Sequence, residues 1–156
     1  MTDLQQNAVL LSERTRRITS DAGLLVLRLA AGAIFVAHGW ADVTQEGGAG
    51  ANIPLYREVG IPLAEVSAWF GGYMQLIGGG LLVLGVLTRV AAAGLVAVMG
   101  GALVFVHAGE QIVLAPDGSG SGFALAMFAI ALCLLGAGPG RLSLDHVLLA
   151  RFGRRD

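Results

Sequence analysis

Apolar and polar positions in this chain fall into long blocks, without a short period. Residues 76–106 contain only two side chains, Thr88 and Arg89, that are neither apolar nor glycine. As one straight helix, this block would far exceed a bilayer core of about 30 Å, because a helix rises about 1.5 Å per residue. The pattern therefore predicts two membrane spans, 63–87 and 89–107, folded back at Thr88-Arg89. Gln75 then lies inside the first span and His107 at the far end of the second. Two more apolar blocks flank this hairpin. Residues 22–40 are interrupted by Arg28 and end in His38 and Trp40, and residues 122–137 stop at the helix-breaking run GAGPG. The expected fold is all-α: a membrane-embedded four-helix bundle over residues 21–140. Gly85 is placed to end the second span in a left-handed cap, and Thr88 to cap the third.

The polar segments between and around these blocks complete the organisation. Residues 1–20 read as a flexible cytoplasmic N-tail, and the first span as retained, because it does not end in a signal-peptide cleavage site. Residues 41–62 form a loop, long for a helix connection, that is expected either to be functional or to fold over the bundle mouth. A second loop covers 108–121 and includes the run DGSGSG. Residues 141–156 read as a basic amphipathic cytoplasmic tail, with Ser143 as its N-cap and a face suited to an anionic membrane surface. GAIFVAHG in the first span resembles GALVFVHAG in the third, so the bundle is compatible with two repeated helical hairpins.

Composition agrees with a membrane protein. The chain is 55% hydrophobic and 13% charged, against about 25% charged for a soluble domain. Its 24 glycines suit close helix approach in lipid. Every basic residue is arginine, and arginine placement gives orientation. Arg14, Arg16, Arg17, Arg89, Arg141, Arg151, Arg154 and Arg155 fall on the tails and the 88–89 turn, whereas the other two loops carry only Arg57. By the positive-inside rule both termini are cytoplasmic, and the protein is multi-pass in the cytoplasmic (inner) membrane. The net charge of -1 says little beside where the charges sit, and no nucleic-acid partner is expected. Its single Cys133 excludes a dithiol redox pair within the chain.

Polar side chains inside spans require a partner or a purpose. Arg28 reads either as snorkelling to the inner headgroups or as an anion-facing or carboxylate-paired group inside the bundle. His38 and His107 sit on parallel spans near the same outer level. They read as interfacial histidines bonded to backbone or water, as a shared quinone or proton site, or as haem ligands. No third ligand at matched spacing supports a metal site. Gln75 is expected near mid-membrane in an interhelical hydrogen bond. Glu65 is either a proton donor to the histidines or a solvated loop residue. His146, in the tail, carries no assigned chemistry.

Four stretches in order, LRLAAGAIFVAHG, QLIGGGLLVLGVLTRVAA, GGALVFVHAG and GPGRLSLD, resemble the DoxX family of small four-helix membrane proteins. The resemblance covers most of residues 24–146. It implies membrane redox chemistry, since members occur as subunits of thiosulfate:quinone oxidoreductase and in complexes that handle sulfur or oxidative stress. Two positions depart from the family pattern. Ala41 and Asp42 follow the first HG, where relatives often carry lysine. Gln75 stands where they often carry glutamate. These departures move weight from an enzyme toward an accessory subunit. The resulting expectation is a membrane subunit of a quinone-linked redox or respiratory system, with Arg28, His38, Gln75 and His107 in its polar interior and Arg89 and Arg141 as turn and topology residues. The alternatives are a non-catalytic accessory subunit of a larger respiratory complex and a small haem or carrier protein. Expected partners are the lipid bilayer and other membrane subunits, and a homo-oligomer is compatible with this reading.

Overall fold

A computed structural model describes residues 3–113 and 119–152 of the chain; Asp117, Arg154 and Arg155 lie outside the described residues. Helix α1 runs over Asp3–Thr44. A 3-10 turn (Gly48–Asn52) and the short helix α2 (Ile53–Glu58) follow. Helix α3 covers Ala64–Leu84 and α4 covers Thr88–Gly101, continuing as a π-turn over Ala102–Val106. Helix α5 covers Gly122–Ala137 and α6 covers Leu144–Phe152. The described residues contain no strand.

Three of these segments are long and apolar enough to cross a membrane: Ile18–Thr44, Ala64–Leu84 and Thr88–Val106. Helix α5 is also apolar but shorter, at 16 residues. The polar N-terminal segment expected to be flexible is helical from Asp3 and runs unbroken into the first span. The sequence explains this, since residues 3–22 contain neither proline nor glycine to stop a helix.

Helices α1 and α3 are antiparallel and pack through glycine. A Cβ added at Gly32 would lie 2.8 Å from the Gly79 carbonyl oxygen, and one at Gly79 would lie 2.8 Å from that of Gly32. Without a hydrophobic drive between helices in lipid, such backbone approach supplies the packing. Helix α4 pairs with α5, and α3 against α4 joins the two pairs. The core between them holds Phe35, Leu82, Leu95, Met127 and Leu134. The segment 44–63 folds back onto α1 and α3, with the Trp69 ring against Gly48 and Gly50.

The two ends of the bundle are built differently. At the end carrying the 85–88 turn, Arg28 is 1% exposed. Its Nε donates to the Leu82 carbonyl at 3.1 Å, its Nη2 to Leu142 at 2.9 Å and its Nη1 to Pro139. Of the two sequence readings, snorkelling does not describe this arrangement, while a group inside the bundle does, with the Asp145 carboxylate near enough to act on its charge. The guanidinium does not reach out to headgroups, and none of its hydrogen bonds goes to a carboxylate. It joins the end of α3 to the segment between α5 and α6. Gly85 makes room for it, since a Cβ there would lie 2.9 Å from the Arg28 Cζ. Gly85 also adopts the expected left-handed cap, with φ 68°.

Thr88 is not the cap of α4. The N-cap is Leu87, itself left-handed at φ 48°, and it has no side-chain cap of its own. The acceptor comes from the tail: Asp145 takes the Leu87 N–H on Oδ1 at 2.8 Å and the Thr88 N–H on Oδ2 at 3.0 Å. The Asp145 N–H donates in return to the Gly85 carbonyl at 2.8 Å. A carboxylate at a helix N-terminus also meets the positive end of the helix dipole. Ser143 caps α6 as expected, its Oγ accepting the His146 N–H at 3.2 Å. Arg89 donates to the Gly136 carbonyl at 3.2 Å near the end of α5. Asp21 accepts the Arg141 N–H at 3.0 Å. Arg89 and Arg141 therefore hold the same end of the bundle closed.

Candidate functional site

The opposite half of the bundle collects the remaining polar side chains. A cavity of about 230 Å³ is lined by Ile34, Phe35, His38, Gln75, Met99, Ala102, His107, Phe123, Ala124 and Met127. It draws residues from α1, α3, the α4 π-turn and α5. Three of the four candidate interior residues meet there: His38, Gln75 and His107. The fourth, Arg28, belongs to the closed end, ten residues and about 15 Å of helix rise below His38.

Each polar group is fixed by a specific partner. His38 is on α1, and its Nδ1 is 3.0 Å from the Ile34 carbonyl, one turn back. Its ring stacks on Phe123 of α5, with centroids 5.2 Å apart and planes at 22°. His107 follows the π-turn, where its N–H bonds to the Ala102 carbonyl five residues back, at 2.9 Å. This wider turn changes the direction in which the residues beyond α4 project; single π-turns recur at functional positions. The His107 Nδ1 is 2.7 Å from Glu110 Oε2, both side chains are half-buried, and the same oxygen accepts the Gly120 N–H at 2.9 Å. Glu110 thereby orients the imidazole and ties it to the start of α5.

Gln75 is 8% exposed. Its Nε2 donates to Asp42 Oδ2 at 3.3 Å, and Asn52 Nδ2 donates to Asp42 Oδ1 at 3.2 Å. A Cβ at Gly39 would overlap the backbone of Leu76, so this part of α1 is level with the middle of α3. Asp42 therefore lies beside Gln75 within the bundle, because α1 continues to Thr44. Glu65 does not line the cavity that holds the histidines. It pairs with Arg57 on the surface, which places it with the solvated residues.

A second cavity of about 450 Å³ adjoins the first and shares Gln75, Met99 and Ala102 with it. Its other walls include Tyr56, Phe70, Val98 and Phe105, and it reaches the exposed residues Leu63 and Phe70. Among the described residues, no group of three His, Cys, Asp or Glu side chains is placed to hold a metal ion, and Cys133 is alone and exposed.

Asp42, Glu110 and Phe123 were missed as site residues by sequence reasoning. Glu110 had a usable signal, a carboxylate three residues after His107. Asp42 was hidden by ending the first span at Trp40. Phe123 carried no signal in an apolar run.

Long apolar helices joined through glycine contacts, with buried polar groups on their inner faces, define a helical integral membrane protein. The chain belongs to the DoxX family, whose pattern it matches over residues 23–108. It is also 32% identical over 139 residues to an uncharacterized membrane protein of Mycobacterium tuberculosis, and the match covers 82% of each chain. No solved structure gives a significant match. Asp42 and Gln75, both singled out in the sequence, are joined by a hydrogen bond.

Proposed function

We propose that this protein is a quinone-binding subunit of a membrane redox system, crossing the cytoplasmic (inner) membrane four times with both termini inside. The observation that carries the reading is the convergence of His38, Gln75 and His107 on one cavity beside a larger apolar one. The smaller volume suits a single substituted ring and is too small for a haem macrocycle. The larger one falls within the range of about 300–1,000 Å³ typical of ligand pockets, and suits an isoprenoid chain entering from lipid. Imidazoles hydrogen-bond ring oxygens and move protons, while Phe123 offers a stacking face. A lone exposed Cys133 gives the chain no dithiol of its own, so the electron-transfer centre belongs to a partner subunit. The four crossings and the orientation rest on the arginine distribution and on the apolar α5, which is about 24 Å long at 1.5 Å per residue.

The test is equilibrium binding of a short-chain quinone to the protein in lipid nanodiscs. Binding should weaken at least about tenfold in a His38→Ala/His107→Ala double variant, the loss of two hydrogen bonds at about 1 kcal/mol each. Equal binding by the wild type and a folded double variant would remove the site.

A further inference from the structure

Tyr56 faces inward from α2: it is half-buried, while its neighbours Leu55 and Arg57 are exposed. Its backbone is held by the Ile61 N–H, which donates to the Tyr56 carbonyl at 2.8 Å. The segment that carries it is pinned on either side, by the Asn52–Asp42 hydrogen bond and by the Arg57–Glu65 pair. The Tyr56 side chain reaches α3. A Cβ added at Gly71 would lie 3.1 Å from the Tyr56 hydroxyl oxygen and, apart from its own helix backbone, would meet no other atom within 4 Å. Gly71 thus leaves open volume beside the hydroxyl, and both residues line the larger cavity. Gln75 lies one turn further along the same face of α3, where the two cavities join.

Among the described residues, the Tyr56 hydroxyl has no hydrogen-bond partner. Burial and the nearby Asp42 charge push its pKa up, so it keeps its proton at neutral pH and is a donor. The other polar side chains on this cavity are engaged within the chain. Ser67 donates to the Pro62 carbonyl at 2.7 Å, and Gln75 gives one N–H to Asp42. A partly desolvated hydroxyl without a partner gains from a ligand oxygen placed beside it.

We propose that Tyr56 is a ligand-contacting residue whose hydroxyl bonds the quinone oxygen next to the isoprenoid tail. This rests on the reading of the two cavities as a quinone site, and it adds to that site a residue from outside the long helices. A tail that occupies the larger cavity turns the ring carbon bearing it, and the ring oxygen beside that carbon, toward Tyr56 and the second N–H of Gln75. The opposite ring oxygen then faces the histidines. The two oxygens are held from different elements, and the segment 44–63 is part of the binding site as well as its cover.

The experiment is equilibrium binding of a short-chain prenyl quinone to the full chain in nanodiscs, with infrared spectra of the same quinone isotope-labelled at the tail-side carbonyl. Tyr56→Phe should weaken binding about fivefold, the loss of one hydrogen bond. It should also move the labelled carbonyl band to the higher frequency of an unbonded carbonyl. The ligand-free thermal midpoint should match the wild type, because the hydroxyl has no partner within the described chain. Unchanged affinity in Tyr56→Phe, or a labelled band that does not move, would overturn the role of Tyr56 and leave the quinone site standing. A lower ligand-free midpoint in Tyr56→Phe would assign the hydroxyl to the fold and overturn that role likewise. No saturable quinone binding by the wild type would overturn both the role and the quinone-site reading.

Discussion

Gln75 donates its amide to the Asp42 carboxylate across the α1–α3 contact at 3.3 Å. A glutamate at position 75 would instead set two carboxylates against each other inside a low-dielectric bundle. Gln75→Glu is therefore expected to lower stability by about 1–3 kcal/mol. Adding Asp42→Lys should recover much of the loss by restoring opposite charges. Denaturant titration of the purified variants checks this. If the two substitutions act additively, with no recovery, the pairing is wrong.

Arg28 is bonded to three backbone carbonyls and does not line the cavity that holds the histidines. Arg28→Leu would leave the carbonyls of Leu82, Pro139 and Leu142 without their donor. It should cost about 3 kcal/mol or more, because bonds to a charged group are worth about 1.5–3 kcal/mol each. Arg28→Lys should recover only part, since an ammonium cannot match the planar fork. Quinone affinity of whatever fraction remains folded should not change. A selective loss of binding with normal stability would return Arg28 to the site.

The Asp145 cap makes stability depend on pH. Burial on its own raises the Asp145 carboxyl's pKa. The N–H groups of Thr88 and Leu87 and the nearby Arg28 charge outweigh burial and hold it below the usual carboxylate value. A depressed folded-state value means that the stabilisation is present above the unfolded pKa and is lost as pH falls through the folded one. The loss should therefore appear below about pH 4. Asp145→Asn should cost about 1 kcal/mol at neutral pH and flatten this acid limb. Unfolding midpoints between pH 3 and 7 for both proteins check the prediction.

The parts of the fold that were legible in the sequence are those set by local pattern. Apolar blocks located the helices because lipid demands continuous apolar length. Gly85 was readable as a cap because few other residues adopt that backbone. Equal depth and direction of the first and third spans brought His38 and His107 to one level. The partners of Arg28 were not legible: they are backbone carbonyls up to 114 positions away, and a carbonyl leaves no trace in residue identity. Thr88 looked like a cap by type, but Leu87 takes the cap position and a carboxylate from position 145 supplies the acceptor. Asp42 was hidden because hydropathy ended the span at Trp40 while the helix continued to Thr44.

Topology has a direct readout. In a Cys133→Ser background, Glu46→Cys should react with a membrane-impermeant thiol reagent in intact cells, and His146→Cys only after permeabilisation. The reverse pattern would invert the orientation. Labelling of both from one side only would remove the even number of crossings.

The central claim is that His38, Gln75 and His107 surround a redox-carrier ring. Photo-crosslinking with a ring-tagged azidoquinone in nanodiscs, followed by peptide mapping, tests it most directly. Adducts are expected only at residues near 34–38, 99–107 and 123–127, displaced by excess untagged quinone and absent in the His38→Ala/His107→Ala variant. Adducts spread evenly over the lipid-facing helices, and insensitive to competitor, would contradict it.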